Sequence, residues 1–364
     1  MKGVYIHVPF CKNICNYCDF CKMYYKSDWV LKYLDVLKQE ISERYKNDLI
    51  TSIYIGGGTP NSLSDIELEK LMELTTVFKR KGIEFCVECN IDITSNQLAI
   101  LKKYGVNRLS IGLQSVSENN LKFLGRFHTK EYVLKQMDLI TKYFDNINVD
   151  LIYAIPNQSI NDLICDLEFL TSLKITHIST YSLIIEPHTK LYIDGNMPID
   201  DEKDFEMYKL INEYLVNLGF NHYEISNYCK KGYESKHNLT YWNNDNYYGF
   251  GLGASGYLDN IRYDNTKSFN KYLQGKYVYE SHELSKSEDL ENFLILGFRK
   301  IEGISKSELL KRYGKSKIKI LDELIKKGQL NENEKMIYIP YDRLYTSNNV
   351  LVQIMGEIDE VWCF

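Results

Sequence analysis

The chain has 364 residues, of which 44% are hydrophobic and 26% charged, and this composition predicts a globular protein with a large apolar core. Its formal net charge of −5 excludes the overall positive field that recruits nucleic acid or an anionic membrane surface. No apolar run approaches the roughly 20 residues that a membrane span requires. We expect one large α/β domain with a smaller appendage.

The first residues predict a cytoplasmic protein. Val4–Val8 is a short apolar strand candidate that leads directly into cysteines. It lacks the longer apolar segment and the small-residue cleavage site of a signal peptide. In a reducing compartment, nine cysteines favour thiols or metal ligands over disulfides.

Three cysteines follow the first predicted strand with x3 and x2 spacing, namely Cys11, Cys15 and Cys18. Cysteine thiolates are the usual ligands of iron–sulfur clusters. Three such ligands would leave one iron of a 4Fe–4S cluster open to a small molecule. Zinc is the alternative, but zinc usually takes four ligands in two separated pairs, and no matching second pair is present. Cys21 extends the run, either as a fourth ligand that would close the open iron or as a spare thiol.

From residue 3 to about residue 185, short β-rich runs alternate with amphipathic helical stretches, which predicts a parallel sheet with right-handed crossovers. The strand candidates are Val4–Val8, Ser52–Ile55, Glu84–Glu88, Arg108–Gly112, Ile147–Ile152 and His177–Leu183. Six strands predict a partial or complete (β/α)6 barrel of the TIM type, and an open doubly wound sheet is the alternative. In both folds, functional groups gather at the carboxyl ends of the strands.

The pattern weakens after the predicted barrel, which we place at residues 1–190. Residues 191–283 are rich in Tyr, Asn and Gly, and we expect them to complete one side of the barrel. Residues 284–364 indicate a helical, winged-helix-like C-terminal domain. Between Lys300 and Lys327 there are nine Lys or Arg and four Asp or Glu. This basic segment could contact nucleic acid, but a solvated helix surface is favoured because the whole chain is acidic.

Four segments resemble the radical S-adenosylmethionine (SAM) superfamily. They are Tyr5–Cys11 (YIHVPFC), Gly56–Pro60 (GGGTP), Ser110–Ser115 (SIGLQS) and Asp150–Tyr153 (DLIY). Together they are similar to the branch that contains HemN-type oxygen-independent coproporphyrinogen III dehydrogenases and HemW-type heme chaperones. The resemblance runs over about residues 3–260. It implies a radical SAM partial barrel that binds a 4Fe–4S cluster through the three cysteines, and SAM at the open iron.

Further details favour the HemW side of this branch. The N-terminal extension that HemN-type enzymes share is not found ahead of Val4, and Phe20 stands where those enzymes carry a cysteine. His237–Trp242 (HNLTYW) resembles a stretch associated with heme in HemW-like proteins. His237 is therefore expected at a heme site, with a purely structural role as the alternative, since imidazole is a common ligand of heme iron.

The resemblance implies a heme chaperone of porphyrin metabolism, which binds heme and transfers it to an acceptor protein. No residue is assigned as catalytic, because turnover need not be part of this function. The alternative is an oxygen-independent coproporphyrinogen III dehydrogenase, which would need a reductant such as ferredoxin or flavodoxin. A heme-degrading radical SAM methyltransferase is less favoured for a chain of this length.

The same resemblance assigns a SAM site to the strand ends. Gly57, Gly58 and Thr59 end the second strand, where glycine allows a close approach of backbone to ligand. Glu88, at the end of the third strand, matches a carboxylate that contacts SAM. The remaining residues implied to bind SAM are Gln114 after the fourth strand, Arg126 after the short helix that follows it, and Asp150 near the end of the fifth strand, with Tyr5 and Tyr17 beside the cysteine loop.

Overall fold

A single large mixed sheet, with a parallel central part and antiparallel strands at both edges, forms the centre of the protein. The computed structural model describes residues 2–78, 82–314 and 318–362, and the side chains of all of these except residues 318–320 and 356–362. Within these residues, no helix is long and apolar enough to span a membrane. Cys363, which the sequence leaves without an assigned role, lies outside the described residues.

The strands and helices alternate along the first half of the chain. The strands are β1 Lys2–Val8, β2 Phe10–Cys11, β3 Met23–Tyr24, β4 Ile50–Gly57, β5 Glu84–Asn90, β6 Arg108–Gln114, β7 Ile147–Tyr153, β8 His177–Ser182, β9 Asn221–Glu224, β10 Asn227–Cys229, β11 Tyr247–Phe250, β12 Ser255–Leu258, β13 Ile261–Asn265, β14 Val278–Glu283, β15 Ile304–Ser305, β16 Asn331–Glu332 and β17 Met336–Tyr338. The helices are α1 Ser27–Arg44, α2 Asp65–Leu74, α3 Ser95–Lys103, α4 Glu118–Leu124, α5 Lys130–Ile140, α6 Ile160–Ser172, α7 Lys190–Ile193, α8 Asp201–Asn217, α9 Lys236–Trp242, α10 Phe269–Leu273, α11 Lys286–Gly297, α12 Lys306–Tyr313, α13 Ile318–Lys326 and α14 Ser347–Trp362.

The order of the strands decides between the two predicted sheet types. The central sheet runs β14-β13-β12-β11-β1-β4-β5-β6-β7-β8-β10-β9, and the stretch from β11 to β8 is parallel. In this sheet, β4 to β8 are each added on the same side of the strand before, starting from β1, while β2 and β3 pair with each other in a separate sheet. A doubly wound sheet instead reverses its strand order at a switch point. The barrel-type prediction is therefore confirmed, and the doubly wound alternative is wrong.

The strands alternate between an apolar face and a polar face. On β5, Phe85 and Val87 join the large hydrophobic core beneath the helices, while Glu84 and Glu88 point the other way. The same alternation on the neighbouring strands gives the sheet a polar concave face. A small cavity of about 70 Å³ on this face is lined by Tyr54, Cys86, Glu88, Arg108, Ser110, Asn148, Asp150, His177, Ser179, Tyr181, Ser235 and Asn238.

Helix α9 closes the amino end of the barrel strands. Glu84, the first residue of β5, accepts hydrogen bonds from the backbone N–H groups of Lys236 (3.1 Å) and His237 (3.0 Å), at the start of α9. The helix terminus leaves these donors without partners of its own. Ser52, near the start of β4, is hydrogen-bonded to His237 at 2.9 Å. Polar residues at the amino ends of β4 and β5 thus hydrogen-bond to one short helix, α9.

The C-terminal residues have a hydrophobic core of their own. It is formed by helices α11–α14 and a three-stranded antiparallel sheet in the order β15-β17-β16. Backbone hydrogen bonds link this unit to β9 and to the residue after it: Ile301 donates to Tyr223 (3.1 Å), and Ile225 donates to Arg299 (3.0 Å). In its basic segment, Arg312 contacts Asp245 at 3.2 Å. The boundaries at residues 190 and 283 stay predictions.

Candidate cluster and cofactor site

A cavity of about 400 Å³ opens beside the cysteine loop, at the carboxyl ends of the barrel strands. We call it the loop cavity. Of the residues predicted from the sequence, it is lined by Cys11, Cys15, Cys18, Tyr17, Gly57, Gly58, Thr59, Glu88, Gln114, Arg126 and Asp150. The structure therefore brings all the predicted cluster and SAM residues except Tyr5 to one place. Tyr5 lies outside this cavity and stacks on Tyr54, with ring centroids 6.2 Å apart.

The three cysteines lie in an environment that suits metal-bound sulfur. The hydroxyl of Thr59 donates to Cys11 Sγ at 3.5 Å, and the guanidinium of Arg126 donates to Cys15 Sγ at 3.4 Å. Lys22 donates to the carbonyl of Cys18. Burial raises the pKa of Cys11 to about 11, so its sulfur loses the proton to solvent only when a strong competitor such as a metal binds in its place.

The arrangement fits a multi-iron cluster better than a single ion. Among the described residues, no three His, Cys, Asp or Glu side chains converge as they would around one metal ion. In a cubane cluster each thiolate binds a different iron, so the sulfurs need not meet at one point. The donor set of Cys11, Cys15 and Cys18 therefore fits a 4Fe–4S cluster.

The turn after β4 requires glycine because neighbouring groups lie where side chains would project. A Cβ on Gly58 would lie 2.6 Å from the carbonyl oxygen of Val8, and one on Gly57 would lie 2.3 Å from the ring of His7. Gly57 also has φ of +104°, a backbone conformation that other residues rarely adopt. The close packing brings this backbone to the edge of the loop cavity.

Two half-buried carboxylates face the same cavity. Glu88 accepts hydrogen bonds from the hydroxyl of Tyr54 (2.7 Å) and from the N–H of Gly57 (3.0 Å), and burial raises its pKa to about 7. Asp150 accepts from the amide of Asn148 (2.8 Å), and burial raises its pKa to about 6. A positively charged ligand would favour the ionised form of both carboxylates.

Some polar atoms at this cavity have no partner within the protein. Gln114 Oε1 and Arg126 Nε are buried and make no hydrogen bond. Gln114 also adopts φ of +72°, which is costly for a residue with a side chain and is typical of ligand sites. Buried polar atoms are rarely left unpaired, so these two mark positions where a polar ligand would bind. The site therefore also fits SAM.

Asn90 is a cavity residue that the sequence analysis missed. Its side-chain oxygen accepts a hydrogen bond from Arg126 at 2.9 Å, and Arg126 also donates to the carbonyl of Gly112 at 2.5 Å. The two-residue periodicity of a strand could have predicted Asn90 as a cavity residue. Asn90 lies two residues after Glu88, and therefore on the same face of β5.

His237 is fully enclosed, on the amino side of the barrel. Its Nδ1 is hydrogen-bonded to Ser52 (2.9 Å) and its Nε2 to the hydroxyl of Tyr241 (2.7 Å), while its ring stacks on Tyr54. Burial lowers the pKa of His237 to about 3, so its ring is neutral at ordinary pH. Both ring nitrogens are occupied, so the ring could reach a heme iron only by breaking a hydrogen bond. Its heme role stays a prediction.

Cys21 lies apart from the other three cysteines of the loop. It lines a second cavity, together with Tyr5 and Tyr241, and does not line the loop cavity. A Cβ on Gly253 would lie 2.7 Å from the Cβ of Cys21, so this cysteine packs against the segment that follows β11. The geometry favours a thiol separate from the cluster ligands.

The sheet order, the three-cysteine loop and the glycine-edged cavity define a radical SAM protein. In agreement, residues 5–170 match the model of the Radical SAM superfamily. The chain is 38% identical to the heme chaperone HemW of Bacillus subtilis, over 98% of this chain and 100% of that protein. It is 37% identical to HemW of Lactococcus lactis, over 95% and 93% of the two chains, and 31% identical to HemW of Escherichia coli, over 91% and 92%. The chain belongs to the HemW family.

The solved structures add a match for the whole fold. The structure of coproporphyrinogen III oxidase (HemN) from Escherichia coli, a radical SAM enzyme, aligns with a TM-score of 0.82 at 19% identity, over 98% of this chain and 90% of that chain. This match shows a shared fold that includes the C-terminal unit. Membership of the radical SAM superfamily implies a 4Fe–4S cluster and SAM.

Proposed function

We propose that this protein is a heme chaperone, which binds heme and passes it to an acceptor protein. The observation that carries the proposal is the 38% identity to the heme chaperone HemW of Bacillus subtilis over the full length of that protein. The acceptor is a protein that acquires heme after synthesis. The cofactors of the chaperone are a 4Fe–4S cluster and SAM, both held in the loop cavity.

Within this proposal, the cysteine loop holds the cluster. Cys11, Cys15 and Cys18 each supply one thiolate, and the hydrogen bonds from Thr59 and Arg126 support two of the sulfurs. Hydrogen bonds to cluster sulfurs tune the reduction potential of such a centre. When bound, the cluster supplies one iron with an open position and a source of one electron.

The remaining residues of the loop cavity orient SAM. The backbone at Gly57 and Gly58 lies against the amino-acid portion, and the guanidinium of Arg126 provides charge for its carboxylate. Glu88 is the acceptor for a cationic group of SAM, which draws this carboxyl towards its ionised form. Asp150 accepts from a ribose hydroxyl. The unpaired oxygen of Gln114 takes a ligand donor.

The experiment that tests the function combines heme binding with a search for turnover. The protein is reconstituted anaerobically and titrated with hemin, and the loaded protein is then mixed with an apo-hemoprotein acceptor. We expect stoichiometric hemin binding, and transfer that is faster than loss of hemin to a passive scavenger. The same cluster-loaded protein is incubated with SAM, a reductant and coproporphyrinogen III. Many turnovers to protoporphyrinogen IX would contradict the chaperone and identify a dehydrogenase.

A further inference from the structure

A second cavity lies next to the loop cavity and encloses about 430 Å³. We call it the side cavity. Asp19 and Phe20 line both cavities, whereas Cys11, Cys15 and Cys18 line only the loop cavity. A volume of several hundred Å³ is in the range of small-molecule sites. The side cavity is thus a separate compartment that shares one wall with the cofactor site.

Aromatic rings form much of its wall. Tyr5, Tyr241 and Tyr247 line it together with Phe20. The rings of Tyr241 and Tyr247 pack edge to face, with centroids 4.7 Å apart. Phe20 is 62% exposed, so a large apolar ring stands at the entrance. Such walls suit the face of a broad, flat, apolar ligand.

Two cations complete the lining. Arg262 donates to Asn244 at 3.0 Å, but its buried Nε has no hydrogen-bond partner. Lys267 forms no ion pair among the described residues and is exposed. Both are available to carboxylates of a ligand.

Two acids also line the side cavity, and they differ in their contacts. Asp245 is contacted by Arg312 at 3.2 Å and is therefore already engaged. Asp19 lies on the wall shared with the loop cavity. Neither acid forms an ion pair with Arg262 or Lys267 among the described residues. No carboxylate of the cavity wall therefore competes with a ligand for these two cations.

The cavity also contains a soft metal donor. Cys21 lies between the aromatic wall and Gly253, where a Cβ would come within 3.0 Å of its Sγ. Burial raises the pKa of Cys21, and the nearby charge of Lys267 offsets this rise only in part, so an iron ion must displace the thiol proton to bind the sulfur. A thiolate is an established type of ligand for heme iron. The side cavity thus combines a flat aromatic wall, two cations and an iron-binding sulfur.

We propose that heme binds in the side cavity, with the sulfur of Cys21 on the iron and with Arg262 and Lys267 at the propionates. On binding ferric heme, the thiol of Cys21 releases its proton to solvent and its sulfur donates an electron pair to iron, with no change of oxidation state. His237 then acts as a positioning residue, because it holds the hydroxyl of Tyr241 at the cavity wall. This inference rests on the proposed heme-binding function and specifies where that heme lies.

The first test replaces the proposed iron ligand. Cys21→Ser is compared with wild type and with Cys165→Ser, which removes an exposed cysteine elsewhere, all loaded with cluster and titrated with hemin. We expect wild type and the control to show the absorption and resonance Raman signature of thiolate-bound heme, and Cys21→Ser to lose it. An unchanged heme signature in Cys21→Ser would remove Cys21 from the iron.

The second test addresses the propionates. The probes are hemin and its dimethyl ester, and the variants are Lys267→Gln and the double variant Arg262→Gln/Lys267→Gln. Lys276→Gln, at an exposed lysine outside the side cavity, is the matched control. Each lost charge-assisted hydrogen bond is expected to weaken hemin binding about tenfold and ester binding little. The double variant should therefore lose the preference of wild type for hemin over the ester.

Controls separate this inference from the function on which it rests. Iron content and SAM binding must match wild type in every variant, which establishes that the fold is intact. If wild type binds hemin and transfers it while both sets of variants behave like wild type, heme lies elsewhere and the chaperone proposal stands. If wild type binds no hemin, the chaperone proposal and the side-cavity site fall together.

Discussion

Glu88 is a carboxyl group in an environment that a positively charged ligand would complement. It is half-buried in the wall of the loop cavity, receives two hydrogen bonds, and has a pKa raised to about 7 by desolvation. In the unfolded chain its pKa lies near the ordinary value of 4.5. The folded state therefore holds the proton more tightly, so ionisation of Glu88 costs stability as the pH rises.

The pH dependence of stability tests this cost. We expect Glu88→Gln to gain stability relative to wild type as the pH rises from about 4.5 to about 7, and then to level off, with a total change on the order of 3 kcal/mol. Buried histidines such as His7, whose pKa is lowered to about 4 by burial, act in the opposite direction. Only the difference between variant and wild type is therefore diagnostic. It is measured by urea unfolding of the cofactor-free proteins, with exposed Glu73→Gln as the control, and a flat difference for Glu88→Gln would contradict the prediction.

The second prediction at this scale concerns the cluster ligands. Cys15→Ala removes one of three thiolates and should abolish the cluster absorbance after anaerobic reconstitution, because two thiolates do not retain a cubane cluster. Cys165→Ala, at an exposed cysteine, should load normally. Iron and sulfide are measured in both proteins. A fully loaded cluster in Cys15→Ala would mean that Cys15 is not a ligand.

At the residue scale, the sequence predicted those site residues that belong to short local motifs. The cysteine loop and the Gly57–Thr59 turn are local, and both line the loop cavity. Contacts such as that between Glu84 and His237 join residues 153 positions apart. No local pattern predicts such a pair. The separation of Cys21 from its three neighbours was also hidden, because it depends on packing against Gly253.

Among the elements, α9 has two of its first backbone N–H groups bound by one carboxylate of the barrel, that of Glu84. Glu84→Ala would leave the backbone donors of Lys236 and His237 without their acceptor. Leaving buried donors unpaired costs about 1–3 kcal/mol each, so we expect a loss of about 2–4 kcal/mol in the free energy of unfolding. Urea unfolding measures it, and Glu73→Ala, at an exposed helical position, should change stability by less than about 0.5 kcal/mol. A loss as small as that of the control would show that α9 is held by other contacts.

The strands of the barrel were predictable, whereas those beside it were not. Each barrel strand has a continuous β-rich run between helical segments. Five predicted strands lie within β1 and β4–β7, and the sixth extends past the end of β8 by one residue, Leu183. β11–β14 fall in the Tyr-, Asn- and Gly-rich region, whose composition favours turns as much as strands. In the structure, β11 pairs in parallel with β1 and extends the barrel sheet. Its strand character comes from this tertiary pairing.

The molecule as a whole has two main hydrophobic cores, one beneath the barrel helices and one in the C-terminal unit. Leu324→Ala, in the second core, should destabilise the C-terminal unit by about 2–5 kcal/mol, because it leaves a cavity. Thermal unfolding should then begin at a lower temperature. Iron loading and SAM binding at low temperature should stay at wild-type levels, and a loss of cluster would show instead that the two cores form one cooperative unit.

Asp19 and Phe20 form a wall that the two cavities share, so a shift of this segment would affect both. If SAM in the loop cavity shifts this segment and changes the affinity of the side cavity for its ligand, that ligand must change the affinity for SAM by the same factor. Reciprocity holds whichever molecule binds first. In such a chaperone, the affinity for heme would depend on whether SAM is bound. The coupling factor is the ratio of the SAM dissociation constants measured with and without heme, and it must equal the ratio of the heme dissociation constants measured with and without SAM.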